Sequence, residues 1–209
     1  MDMEIIKNHY CFDCKMCGEC CTGNTEVYVN LYDMYKLCTY LKLDHTRDLF
    51  ERGLLRPAIA ENGGWIPRLQ FRKKPLQFCP FVINDMDDDF HLKCYCRLHP
   101  NLKPLICKLA PVGRIIDCNT EEINYVSIPP VKTCPGMKSN HLRIIEDLEK
   151  DLQDELDYDF RFYMILDTII NTTEWTREIT EELYYFPVNE SFETVLEDLE
   201  YRYCAGNVL

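Results

Sequence analysis

The C-terminal third of the chain has the pattern of apolar and polar residues that is typical of amphipathic helices. Between residues 142 and 156, apolar side chains recur at three- and four-residue steps, and acidic side chains fill the other faces. The apolar positions are Leu142, Ile145, Leu148, Leu152 and Leu156. Further helices are predicted at Phe160 to Ile170, Trp175 to Tyr185 and Phe192 to Tyr203. Asn189 or Ser191 is the expected N-cap of the last one.

The N-terminal two-thirds of the chain mixes helical and strand patterns. Leu31 to Leu43 has apolar residues at helical spacing, and Cys38 falls on the apolar face, where we expect a buried thiol. Thr46 to Leu54 predicts a short helix that ends at Gly53. This region therefore supplies at least two helices to the fold.

Alternation of apolar and polar residues predicts strands in the same region. Trp65 to Phe71 alternates and reads as one strand. Phe78 to Ile83 and His91 to Cys96 flank the polar segment Asn84 to Asp89, which has turn composition, so the three together predict a β-hairpin. The acidic turn lacks the Gly and the distal Glu of a helix-loop-helix calcium site, and we expect it to be a solvated turn.

Composition changes sharply near residue 140. Twelve of the thirteen cysteines lie between Cys11 and Cys134, and only Cys204 lies beyond. We therefore predict an α+β protein with two regions. Residues 1–140 would form a small cysteine-rich, metal-nucleated domain with a short hairpin and helices, and residues 141–209 an acidic, all-helical C-terminal region.

The charge balance limits the classes of partner. The 23 basic and 35 acidic residues give a net charge of −12, which disfavours nucleic acid and anionic membrane surfaces. No stretch reads as a membrane span or a secretory signal, so we expect a soluble, cytoplasmic protein. The acidic helical tail is the expected docking surface for a protein partner. An odd number of cysteines in a reducing compartment indicates metal ligation or thiol chemistry.

Five cysteines stand within the eleven residues from Cys11 to Cys21. Cys14, Cys17 and Cys20 follow at two-residue gaps, a spacing that lets pairs of sulfurs reach one ion because the intervening turn folds back. Gly18 suits a backbone that wraps a metal, since Gly tolerates positive φ best.

The adjacent pair Cys20 and Cys21 carries a further implication. Neighbouring side chains point in different directions, so the two thiols are awkward partners for one tetrahedral ion. The doublet therefore indicates two metals, a cluster with several iron atoms, or one ligand beside one free thiol.

More cysteines occur downstream among prolines and at the predicted hairpin. Cys79 begins the hairpin in the sequence Phe-Cys-Pro-Phe, and Cys94 and Cys96 lie at its other end. A block from Cys96 to Pro111 contains Cys107, and Cys134 is followed by Pro-Gly. Stiff loops of this kind lose little conformational entropy when their thiolates bind a metal.

With these blocks, residues 10 to 136 resemble the cysteine-cluster family named for its CxxCxxCC signature, the YkgJ-type family, described as zinc- or iron-chelating. Lys103 and Ala110 depart from the family pattern, which more often shows Arg and an aromatic residue there. The resemblance implies two four-sulfur sets with the metal ligands Cys14, Cys17, Cys20, Cys21, Cys79, Cys96, Cys107 and Cys134. The resemblance assigns no metal-ligand role to Cys11, Cys38, Cys94, Cys118 or Cys204.

All-sulfur sites suit both zinc and iron–sulfur clusters. The spacing of Cys14, Cys17 and Cys20 resembles that of ferredoxin-type clusters, so we favour an iron–sulfur cluster over zinc. His99 could add a nitrogen ligand, but a lone histidine beside a proline is more often simply packed or exposed.

Three functional hypotheses remain open at this stage, and the sequence assigns no catalytic or cofactor-pocket residue. The first is a non-catalytic metal-binding protein, including a purely structural zinc site. The second is an S-adenosylmethionine-dependent enzyme like the flagellin lysine N-methylases related to the family, which binding of that methyl donor would test. The third is a redox or electron-transfer protein, which would show reversible absorbance changes on reduction.

Overall fold

The computed structural model describes residues 4–22, 25–59, 64–72, 77–86, 88–89 and 92–204. Within these ranges the fold is mixed α+β, as the sequence predicts. The strands are β1 (Glu4–Ile6), β2 (His9–Cys11), β3 (Leu55–Ile59), β4 (Trp65–Leu69), β5 (Val82–Met86), β6 (Leu92–Cys96), β7 (Val112–Asp117), β8 (Glu122–Ser127) and β9 (Leu142–Ile144). The helices are α1 (Leu31–Leu41), α2 (Arg47–Glu51), α3 (Leu105–Leu109), α4 (Ile145–Asp151), α5 (Gln153–Thr172), α6 (Arg177–Tyr184) and α7 (Phe192–Tyr203).

The strands form four small antiparallel sheets. One has three strands in the order β1-β8-β7, and the others are the pairs β2-β9, β3-β4 and β5-β6. In the β5-β6 hairpin, Val82 lies opposite Cys96 and Asn84 lies opposite Cys94. The β2-β9 pair joins the start of the cysteine run to the start of the C-terminal region, with Cys11 opposite Leu142.

Local signals account for the helices that the sequence predicts. Asn30 and Asp33 form a reciprocal capping box at the start of α1, and the Cys38 thiol is buried on its inner face, as expected. The Ser191 side chain accepts a hydrogen bond from the Thr194 backbone N–H and so caps α7. The predicted short helix after residue 46 is present as α2, and Gly53 follows it with φ of 66°.

Two boundaries differ from the expectation. Leu142 to Ile144 form β9 instead of the first turn of a helix, because they pair with β2 from the other end of the chain. Asn84 and Asp85, expected in the hairpin turn, extend strand β5, and they pair with Cys94 and Lys93. Asp87 and His91, which belong to the predicted turn and second strand, lie outside the described residues.

The main hydrophobic core is shared by both regions of the chain. Buried residues of α1, among them Leu31, Met34 and Leu37, belong to one cluster with residues of the C-terminal helices. Those C-terminal residues include Phe162, Ile165, Ile169, Leu183 and Leu196. The division at residue 140 stays a prediction, and this shared core is the feature against which it can be tested.

A smaller core supports α3. Leu105 and Leu109 of α3 pack with Leu156 of α5, and Leu148 and Leu152 lie at its edge. Four of the five apolar positions of the predicted stripe therefore face inward, while Leu142 is exposed because it belongs to β9. Among the described residues, no helix has the length and apolar character needed to cross a membrane.

Candidate metal centre

The cysteine run that follows β2 has almost no regular secondary structure of its own. A single 3-10 turn covers Glu19–Cys21, and Gly18 precedes it with a left-handed φ of 76°. The Cys21 backbone N–H donates to the Gly18 carbonyl at 2.9 Å. The left-handed residue reverses the chain, so Cys17 lies on one side of the reversal and Cys20 and Cys21 lie on the other.

Three distant segments hold this run in place through backbone hydrogen bonds. The Cys79 N–H donates to the Cys21 carbonyl at 2.8 Å, and the Cys94 N–H donates to the Met16 carbonyl at 2.9 Å. The Asp13 N–H donates to the carbonyl of Gly136, two residues after Cys134, at 3.3 Å. Each docking segment therefore brings a cysteine with it.

The Cys134 segment is held by further close contacts. The Thr133 hydroxyl donates to the Glu19 carboxylate at 2.6 Å. A Cβ atom on Gly136 would lie 2.6 Å from the Asp13 carbonyl oxygen, so only glycine allows this approach. The turn that carries Cys134 is thus packed directly against the cysteine run.

Helix α3 carries Cys107 and is positioned by buried charges. The Asp33 carboxylate of α1 accepts a hydrogen bond from the Leu105 N–H at 3.0 Å and pairs with Lys36 at 3.0 Å. Burial, opposed by the Lys36 charge, raises the pKa of Asp33 to about 6. Glu155 of α5 pairs with Lys36 at 2.7 Å and also with Lys108 of α3.

Five thiols form what we call the inner group: Cys20, Cys21, Cys79, Cys96 and Cys107. Burial raises the pKa of Cys79 to about 11, and the charges of Cys96 and Cys20 add to this effect. Cys107 is exposed as a residue, but desolvation of its sulfur raises the pKa of the thiol, with the charges of Cys79 and Cys20 as the next causes. These thiols are therefore electrostatic neighbours.

Within the inner group, the Cys20 and Cys21 sulfurs are 3.9 Å apart and share a hydrogen bond. With Cys21 as the donor, this bond lowers the pKa of Cys20 to about 7 and raises the pKa of Cys21. Two sulfurs of a tetrahedral zinc site are separated by about 3.8 Å, given zinc–sulfur bonds of about 2.3 Å. The doublet itself therefore permits a shared ion, contrary to the argument that adjacent thiols point apart.

Three thiols form a second group beyond Cys20, which we call the outer group: Cys17, Cys94 and Cys134. Burial raises the pKa of Cys17, and the Cys134 and Cys20 charges contribute to the increase. Burial is also the main cause of the raised pKa of Cys94, followed by the charges of Cys17 and Cys20. The charge of Cys20 thus acts on thiols of both groups.

The structure brings seven of the eight predicted ligands into these groups, and it adds Cys94, which the sequence did not single out. Cys14 is exposed. His99 is also exposed, next to Pro100. All thirteen cysteines lie in the described ranges and all are free thiols. Among the described His, Cys, Asp and Glu residues, no three side chains are arranged closely enough to hold a metal ion as they stand.

The alternation of side chains along a strand is the signal that could have identified Cys94. Residues two apart on a strand lie on the same face, so a predicted strand with Cys96 facing the other thiols also turns Cys94 toward them. Comparisons of the chain with protein-family models, curated proteins and solved structures found no match.

Proposed function

We propose that this protein is a cysteine-ligated metal-binding protein that holds iron–sulfur clusters or zinc. The backbone docking of the segments that carry Cys79, Cys94 and Cys134 onto the cysteine run is the observation that carries the proposal. A core with this much apolar surface has no need of clustered thiols for packing alone. Metal ligation gives such a cluster a physical reason, because thiolates bind zinc and iron–sulfur clusters strongly.

The chemistry of the donors suits an all-sulfur site. Zinc and iron–sulfur clusters each take four thiolates, and the inner and outer groups together contain eight sulfurs. Metal binding removes the thiol protons, so the raised pKa of Cys79 would be offset by the charge of the bound cation. Rotation of the side chains would bring the sulfurs onto a metal, while the backbone of the Cys79, Cys94 and Cys134 segments is held to the cysteine run by hydrogen bonds.

We favour iron–sulfur over zinc because the two-residue gap between Cys17 and Cys20 resembles the spacing in ferredoxin-type clusters. In this proposal the metal also organises the segment from Cys11 to Cys21, where a single 3-10 turn is the regular structure present. The metal-nucleated part of the fold is then the cysteine run with its docking segments, and the apolar core is its support.

The wider cellular role follows the same reasoning. Thirteen free thiols suit a reducing compartment, so we propose a cytoplasmic location. The net charge of −12 argues against a nucleic acid partner. The exposed acidic faces of α6 and α7 are the proposed docking surface for a protein partner, with Glu178, Glu197 and Asp198 among the exposed residues.

Anaerobic purification followed by iron, zinc and acid-labile sulfide analysis tests the proposal directly. We expect a brown protein with broad visible absorbance and sulfide in proportion to iron; stoichiometric zinc without colour would select the zinc form of the same proposal. The variant Cys107→Ser should lose metal, whereas the matched control Cys118→Ser, in the β7-β8 turn, should not. Wild-type protein without bound metal after reconstitution would overturn the proposal.

A further inference from the structure

Strand β6 presents two thiols on one face. Cys94 and Cys96 are two residues apart, and alternate side chains of a strand point to the same side. Cys96 belongs to the inner group, where it influences both Cys79 and Cys107. Cys94 is therefore displaced along the strand by about 7 Å from a proposed ligand and faces the same side of the hairpin.

Cys94 contacts the segment in which the backbone reverses direction at Gly18. The Cys94 N–H bonds to the Met16 carbonyl at 2.9 Å, and a Cβ atom on Gly18 would lie only 2.2 Å from the Cys94 sulfur. Cys94 is 9% exposed. Its sulfur therefore packs against the backbone that joins Cys17 to Cys20.

We propose that Cys94, in place of Cys14, is a sulfur ligand of the metal set formed with Cys17, Cys20 and Cys134. This inference rests on the metal-binding function proposed above. It divides the thiols into Cys17, Cys20, Cys94 and Cys134 on one side, and Cys21, Cys79, Cys96 and Cys107 on the other. Each set then has the four sulfurs of a closed site.

Asn84 is the positioning residue for this ligand. In the metal-free protein the Cys94 thiol donates to the Asn84 amide oxygen at 3.1 Å. When Cys94 binds a metal, its proton leaves to solvent and the thiolate can only accept hydrogen bonds. Rotation of the Asn84 amide by half a turn places its NH₂ group against the sulfur, so the same side chain supports both states.

Metal analysis of three serine variants of the full chain tests the assignment. After anaerobic purification, Cys94→Ser is expected to contain about half of the wild-type metal, because one of two four-sulfur sets is lost. Cys14→Ser is the matched control from the cysteine run, and it should keep wild-type metal content. Cys118→Ser controls for loss of any thiol and should also be unchanged.

A second variant keeps every cysteine in place. Asn84→Asp sets a carboxylate against the Cys94 thiolate, and we expect one of the two sets to bind its metal about 10- to 100-fold more weakly in chelator competition. Asp85→Asn, on the opposite face of β5, is its control and should leave both sets unchanged. Circular dichroism of the metal-free variants checks that each one folds like the wild type.

The possible results separate the two proposals. Full metal content in Cys94→Ser together with loss in Cys14→Ser overturns the Cys94 assignment and leaves the metal-binding function intact. Wild-type protein that takes up no metal overturns both. If Cys94→Ser fails to fold, an unchanged affinity of both sets in Asn84→Asp overturns the assignment by itself.

Discussion

At the scale of single residues, Gly18 determines how the cysteine run turns. Its φ of 76° lies in the left-handed region, which costs an ordinary L-residue about 1–2 kcal/mol. A side chain at this position would also collide with the Cys94 sulfur, at 2.2 Å. Gly18 therefore fixes both the backbone reversal and the distance between Cys94 and the run.

The substitution Gly18→Ala should lower the free energy of unfolding by about 2–4 kcal/mol, because backbone strain and overpacking act together. Gly53→Ala is the matched control: Gly53 has a similar φ of 66°, but a Cβ atom there would meet nothing within 4 Å. We expect a loss of about 1–2 kcal/mol for that control. Urea denaturation of the metal-free proteins measures both, and equal losses would contradict the role of the Cys94 contact.

The spacing of the cysteine run is a local signal, and it marks candidate ligands within the run. Cys17, Cys20 and Cys21 are read from one run of residues. Strand alternation places Cys94 on the same face as Cys96, but its contact with Gly18 depends on docking between segments that are separated by more than seventy residues. Long-range docking of this kind leaves no pattern in a single sequence.

At the scale of elements, α3 depends on charges that belong to its neighbours. Lys36 of α1 and Lys108 of α3 share the carboxylate of Glu155 on α5, and all three side chains are at most 15% exposed. A five-residue helix is too short to be stable alone. The orientation of Cys107 is therefore set by a buried ion network between helices.

The substitution Glu155→Gln should lower the free energy of unfolding by about 3–5 kcal/mol, because it leaves the buried Lys108 ammonium without its carboxylate and Lys36 with Asp33 alone. Glu181→Gln is the matched control: Glu181 pairs with Arg177, whose side chain is 86% exposed. Exposed helix pairs of this kind contribute about 0.3–0.5 kcal/mol. Thermal and urea unfolding measure both variants, and similar small losses would show that the network does not stabilise α3.

Elements with local signals were predicted well, and elements that depend on distant partners were not. The capped helices α1 and α7 and the alternating strand β4 carry their signals in their own residues. Leu142 fits the predicted helical stripe, but pairing with β2 places Leu142 to Ile144 in a strand. The three-stranded sheet of β1, β8 and β7 was also missed, because β1 joins it from the far end of the chain.

At the scale of the whole molecule, the C-terminal helices complete the core on which the candidate metal centre rests. Helix α1 packs against α5, and α5 packs against α7. Strand β9 pairs with β2, which leads into the cysteine run. The acidic region therefore contributes buried surface to the N-terminal region as well as exposed charge.

Removal of residues 141–209 tests the division of the chain. Two independent regions would leave fragment 1–140 with its metal. The shared core favours the opposite result, since Leu31, Met34 and Leu37 would lose the helices that bury them. We expect the fragment to unfold without a cooperative transition and to hold little metal. Circular dichroism and metal analysis measure this, and a folded, fully loaded fragment would show that the core contacts are dispensable.

Metal removal should have a milder effect than truncation. None of the inner-group cysteines is a buried member of the main apolar core. We therefore expect the helices of that core to form without the ion. We expect chelation under reducing conditions to lower the unfolding midpoint while the far-ultraviolet helical signal is kept. Small zinc modules, by contrast, unfold completely without metal. Complete loss of the helical signal would show that the whole fold depends on the bound metal.

The docking of Gly136 against Asp13 has a consequence for biosynthesis. Cys14 and Cys134 are 120 residues apart, and ribosomes add about 5–20 residues per second. The early thiols therefore emerge about 6–24 s before the segment that covers them has been translated. Throughout that interval they are open to oxidants and to the wrong ions, so loading of the set that contains Cys134 has to wait until nearly two-thirds of the chain has been translated.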